Sequence, residues 1–134
     1  MRILTALPFL FASPALADVF LFETPSGNIE CSVGIGQTSS DIICEIIEKT
    51  GPDAQPRPSN CSATWGHKFS MLETGTVQME CANTPRNSDI AEKAPYGVSA
   101  TWGEITCWSE RTGFECRNAS GHGFFLSRRV QRVY

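Results

Sequence analysis

The sequence predicts an all-β domain, a small disulfide-stapled sandwich or barrel of short antiparallel hairpins. Three observations predict it. β-branched and aromatic residues come in short runs, and Gly, Pro, Asn and Ser punctuate those runs. The chain carries six cysteines, an even number, behind what reads as an export leader. Helical i, i+3, i+4 spacing of apolar residues is missing except over residues 42–49, where the isoleucine pairs suit a strand as well.

Length and composition bound the answer. The chain has 134 residues, enough for one ordinary domain, with 41% hydrophobic and 19% charged residues. That composition excludes a disordered tail, a collagen-like fibre and a coiled coil. A net charge of −3 gives no electrostatic case for nucleic-acid binding.

Residues 1–17 read as a secretory signal peptide. Arg2 supplies the positive n-region, residues 3–12 the apolar h-region, and Ala15-Leu16-Ala17 the cleavage site. The apolar run falls short of the roughly 18 residues that a membrane span needs, so no span is expected after cleavage. The mature domain, 18–134, is expected to be secreted or periplasmic. It keeps all six cysteines, with 10 basic and 14 acidic residues, a charge of −4.

The elements follow in order. Residues 19–23 form the first strand, and Pro25-Ser26-Gly27-Asn28 is turn chemistry, since Pro fixes φ and Gly or Asn tolerates φ > 0. Residues 29–33 return as a strand, and 41–47 follow through the Gly-rich loop 34–40. Residues 51–60 contain Pro52, Pro56 and Pro58; each lacks a ladder donor, so this is a surface crossover. Residues 69–72 and 76–81 flank the hairpin signal Thr74-Gly75. Residues 83–95 are a polar loop, with a helical turn expected at Ile90-Ala91-Glu92-Lys93. A third hairpin joins 103–108 to 113–117, and strands at 123–127 and 130–134 close the chain.

Ala63-Thr64-Trp65-Gly66 recurs as Ala100-Thr101-Trp102-Gly103, and Gly27-Asn28-Ile29-Glu30-Cys31 resembles Gly103-Glu104-Ile105-Thr106-Cys107. Three units of this length allow a β-trefoil-like threefold arrangement as the alternative fold. Hairpins reusing one turn solution explain the echo more simply.

In an oxidising compartment the cysteines read as three disulfides. With Arg111-Thr112 at the hairpin tip, positions 110:113, 109:114, 108:115 and 107:116 align, which places Cys107 opposite Cys116. Cys31 and Cys44 bracket the Gly-rich loop, and Cys61 and Cys81 remain for each other. No pair has the C-x₂₋₄-C spacing of a structural zinc site, so neither a metal nor any other cofactor is expected.

The search for chemistry finds no nucleophile elbow and no P-loop, and nothing singles out an acid–base pair among the carboxylates. No catalytic residue is assigned. Trp65, Trp102 and Trp108 read as packing residues before they read as a sugar platform. Ser120, Gly121 and His122 form a glycine-flanked turn through which a ligand can approach the imidazole. Arg128 and Arg129 lie nearby in sequence. Residues 18–115 carry −8, whereas 116–134 carry four arginines and no acid. That basic end either pairs with acidic strands of the same domain or faces an anionic partner. Asn60-Cys61-Ser62 and Asn118-Ala119-Ser120 match the glycosylation sequon; the leader has a bacterial look, so neither is expected to be used.

Phe22-Glu23-Thr24-Pro25-Ser26-Gly27-Asn28-Ile29-Glu30-Cys31, Pro95-Tyr96-Gly97 ahead of the G-x-x-x-C from Gly103 to Cys107, and Gly121-His122-Gly123-Phe124-Phe125-Leu126-Ser127-Arg128 occur in one chain. Together they resemble a family of small exported bacterial proteins whose shared domain has no known function. Where that family has Leu-Pro before Tyr-Gly, this chain has Ala94-Pro95. The resemblance implies an exported, disulfide-bearing domain and transfers no activity.

The functional expectation is a monomeric, non-catalytic binding or interaction module of the bacterial envelope or extracellular space. Its partner would be a protein or glycan, and its surface is expected at Ser120, Gly121, His122, Arg128 and Arg129. The alternatives are a small envelope hydrolase using His122 and a hydrolase inhibitor presenting the same loop.

Overall fold

The computed structural model describes residues 18–83 and 91–134. The expected leader at 1–17, and Ile90 of the expected helical turn, lie outside the described residues.

The first sheet takes β1 (Asp18–Glu23), β2 (Ile29–Ile35), β3 (Ser40–Ile46), β4 (Lys68–Leu72), β5 (Gln78–Glu80) and β6 (Glu92–Lys93) in the order β5-β4-β3-β2-β1-β6. The second takes β7 (Val98–Trp102), β8 (Ile105–Glu110), β9 (Gly113–Arg117), β10 (Gly123–Leu126) and β11 (Gln131–Val133) in the order β11-β10-β9-β8-β7. Neighbours are antiparallel, and β6 alone runs parallel to its partner, β1. The two sheets stack as a sandwich, and among the described residues each keeps unpaired end strands, so no barrel closes.

Alternation drives the stacking. Ile42, Cys44 and Ile46 of β3 face inward and are fully buried, alternating with the half-buried Asp41, Ile43 and Glu45. In β8, Ile105, Cys107 and Ser109 are buried, while Trp108 and Glu110 are exposed. A period of two commits one face of each strand to the core. That core is a single cluster spanning both sheets, with Phe69 against Phe124 on one side (ring centroids 5.9 Å) and Phe22 against Phe114 on the other (5.6 Å).

Cys31–Cys44 and Cys107–Cys116 bridge directly opposed residues of the β2–β3 and β8–β9 hairpins, each with Cα atoms 4.1 Å apart. That is the close spacing of a non-hydrogen-bonded antiparallel pair. Both bridges lie in the core. Cys61–Cys81, with Cα atoms 5.7 Å apart, fastens the proline-rich crossover to the segment after β5.

The internal echo is a local one. Gly27, Gly66 and Gly103 have φ of 73°, 89° and 58°, and each stands two residues before a strand, β2, β4 or β8. Only a residue without Cβ enters that left-handed region freely. The chain reuses one turn solution inside a two-sheet sandwich, which removes the trefoil alternative.

Two elements differ from the sequence reading. Residues 98–102 form a strand where none was expected; all but Trp102 are exposed, so the segment shows no alternation of burial. Glu92 and Lys93 form a short strand rather than part of a helical turn. They pair with Phe22 and Glu23, far away in sequence, so no local signal announces them.

Candidate functional site

The expected surface residues fall into two groups. Ser120, Gly121 and His122 lie in the turn before β10, and Arg128 and Arg129 lie in the turn after it. The four residues of β10 separate the groups by about 13 Å of strand. The two groups stand at opposite ends of that strand.

The first group belongs to a latch between the sheets. Asn118 is buried; its Nδ2 donates to the carbonyls of Leu72 (3.0 Å) and Gly75 (2.8 Å) on the β4–β5 turn. Its Oδ1 accepts from the main-chain N–H groups of Ser120 (3.0 Å) and His122 (3.2 Å). Ser120 Oγ accepts from the Gly75 N–H, and the Ala119 N–H donates to the Glu73 carbonyl. Gly121 has φ of 79°. His122 Nδ1 lies 3.3 Å from the carbonyl oxygen of Tyr134. The loop is pinned down rather than projecting.

The second group is tied to the first sheet. Arg128 forms an ion pair with Glu48, and its carbonyl accepts from the Thr50 N–H (2.7 Å). Arg129 is exposed. Arg132 and Arg117 lie over the rings of Phe125 and Tyr134, at 4.7 and 5.5 Å from the ring centroids. A hydrogen bond to Tyr134 holds the Arg117 pKa above its ordinary range. Three of the four arginines of the basic end therefore have partners within the domain.

The tryptophans are dispersed. Trp65 Nε1 donates to the Gln55 carbonyl within the crossover. Trp108 is on the outer face of the second sheet, and Trp102 faces inward, packed on the core. All six cysteines are in disulfides, so none supplies a thiolate for a metal or a nucleophile. No helix among the described residues is long and apolar enough to cross a membrane.

Trp102 marks the feature that the sequence did not reveal. Where the β1–β6 edge of one sheet faces the β7 edge of the other, the sandwich opens into a groove of about 200 Å³. Phe20, Phe22, Trp102 and Phe114 form its aromatic wall; Ala94, Pro95, Val98 and Ala100 add apolar surface, and Ser99 and Ser109 also line it. Trp102 stacks on Phe22, with centroids 5.5 Å apart and planes 12° apart. One end is closed by the β6–β7 connection. There the Ala94 N–H donates to the Glu23 carbonyl of the first sheet, and Ser109 Oγ of the second donates to the Ala94 carbonyl. Charged groups stay at the rim: Lys93 is ion-paired with the buried Glu23, and Glu92 is exposed. A concave apolar site with a few polar groups at its mouth has the form of a ligand site.

The chain belongs to DUF6636, a family of unknown function whose family model matches residues 1–134. No curated protein and no solved structure matches it.

Proposed function

We propose that this member of the family is an exported, non-catalytic binding domain, and that it takes its ligand through apolar contacts in the groove between β6 and β7. The groove carries the reading. Its aromatic wall is made by residues from both sheets, and Phe20 and Trp102 are only half-buried. Completing their burial is favourable at about 25 cal/mol for each Å² of apolar surface removed from water. Export rests on the Arg2 n-region, the apolar run and Ala15-Leu16-Ala17. Three disulfides fit an oxidising compartment, periplasmic or extracellular.

An environment-sensitive dye, anilinonaphthalene sulfonate, tests the site. The mature protein should bind it saturably with one dye per chain. Ala100→Glu places a carboxylate in the groove from an exposed position, where it repels the dye's sulfonate, and should abolish binding, while Trp108→Ala, on the outer face, should not change it. Dye binding indifferent to Ala100→Glu, in a variant that keeps its β-sheet circular dichroism, would overturn the proposal.

A further inference from the structure

We propose that the groove's occupant is an extended polypeptide segment that adds as a strand to the open edge of β7 and sends alternate apolar side chains into the groove. This rests on the groove reading and names its ligand.

The end strands of the two sheets are not alike. β5 and β11 have three residues each and β6 has two; β5 carries Glu80, β6 consists of Glu92 and Lys93, and β11 carries Arg132. Shortness and charge are the devices that protect a sheet edge from pairing. β7 has neither device: its five residues, Val98-Ser99-Ala100-Thr101-Trp102, include no charge and no proline.

The register shows which main-chain groups of β7 are open. The two-residue turn Gly103-Glu104 closes on the Trp102–Ile105 pair, and Ala100 lies opposite Cys107. Hydrogen-bonded and non-bonded pairs alternate along an antiparallel ladder. With Trp102–Ile105 as the bonded closing pair, Ala100 and Val98 also bond toward β8. The N–H and C=O groups of Ser99 and Thr101 then face the open edge. Cys107 agrees with this parity, because its close pairing with Cys116 is of the non-bonded kind and leaves its main-chain groups for Ala100.

Side chains alternate on the same strand. Val98, Ala100 and Trp102 lie opposite the buried Ser109, Cys107 and Ile105 and line the groove, with Ser99 also at its edge. A strand laid along β7 would extend the second sheet by one, about 4.8 Å further out, and its inward side chains would lie across the groove facing Phe20 and Phe22. Main-chain pairing supplies affinity and the groove supplies selection for apolar residues at every second position. The charged groups around the mouth are Glu92, the ion-paired Lys93 and, at the turn end of β7, the exposed Glu104. Their balance is acidic, which favours a segment flanked by cationic residues.

The test uses a pool of heptapeptides with apolar residues at alternate positions and lysine at both ends, beside the dye. Thr101→Pro removes an N–H that faces the open edge, at a residue outside the groove lining, and leaves the β8 ladder bonded. It should weaken peptide capture about tenfold or more while dye binding and the β-sheet spectrum stay as they were. Methylating the peptides' main-chain nitrogens should weaken capture equally. Dye binding without peptide capture, or capture indifferent both to Thr101→Pro and to methylation, overturns strand addition and leaves the groove standing. Loss of both ligands from a folded Thr101→Pro variant also overturns it. A chain found as a dimer that Thr101→Pro converts to monomer assigns the edge to a second copy and overturns the proposal in that way.

Discussion

The side chain of Asn118 uses its whole hydrogen-bonding capacity, two donors and two acceptor positions, on four main-chain groups. It thereby joins the β4–β5 turn of one sheet to the β9–β10 turn of the other. Because Asn118 is buried, removing the amide leaves buried partners without water, at about 1–3 kcal/mol for each unsatisfied group. Asn118→Ala should therefore cost about 2–4 kcal/mol in urea unfolding, and a loss below about 0.5 kcal/mol would show that the latch carries no stability. His122→Ala should fall within about 0.5 kcal/mol, since the ring makes one long contact to the Tyr134 carbonyl at a partly exposed site. The Arg128–Glu48 pair is mostly exposed at both ends, a setting in which ion pairs contribute little. In the sequence, Asn118-Ala119-Ser120 reads as an acceptor sequon and Ser120-Gly121-His122 as a ligand turn. The chemistry of the turn was legible there, but not its docking partner, because Leu72, Glu73 and Gly75 lie more than forty residues away.

At the scale of elements, what was legible depended on how local the cause was. The β8–β9 hairpin follows from a turn and an alternating run, and its register sets Cys107 against Cys116. β7 escaped although Val98, Ala100 and Trp102 alternate with Ser99 and Thr101, because five residues are too few for an alternation to stand out, and β6 because its pairing with β1 is set by tertiary contact. The groove lies between those two strands, so it was illegible for the same reason. The staples also differ as elements. Cys31, Cys44, Cys107 and Cys116 are buried inside strands, whereas Cys81 is exposed beyond β5. Thiol–disulfide exchange needs access to a sulfur. Mild reduction followed by alkylation and mass spectrometry should therefore find Cys61–Cys81 opened first, with the other two bridges intact in folded protein. Equal labelling of all six cysteines at partial reduction would mean that the core opens as readily as the crossover. Each bridge contributes about 2–4 kcal/mol by restricting the unfolded chain.

Taken whole, the sandwich is fastened along one side and open along the other. Asn118, Ala119 and Ser120 bind the β4–β5 turn on the fastened side, and Phe69 packs on Phe124 beneath them. On the open side, the Ala94 connection and the contacts of Phe20 and Phe22 with Trp102 and Phe114 join the sheets beside the groove. Stability and binding should therefore separate. Asn118→Ala should lower the unfolding free energy and leave dye affinity within about twofold, since sites without shared partners act independently. Ala100→Glu should abolish dye binding and stay within about 0.5 kcal/mol in stability, because it replaces an exposed residue. The double variant should unfold at the sum of the two single effects to within about 0.5 kcal/mol. A coupling above about 1 kcal/mol would mean that the latch and the groove share one mechanical element through the core. The sheets would then shift together when either side is changed. Ligand binding supplies the converse reading. At a hundredfold excess over its dissociation constant, a groove ligand should add about 2.7 kcal/mol to the wild-type protein and the same amount to Asn118→Ala. A smaller increment in Asn118→Ala would show that the open side depends on the latch for its shape.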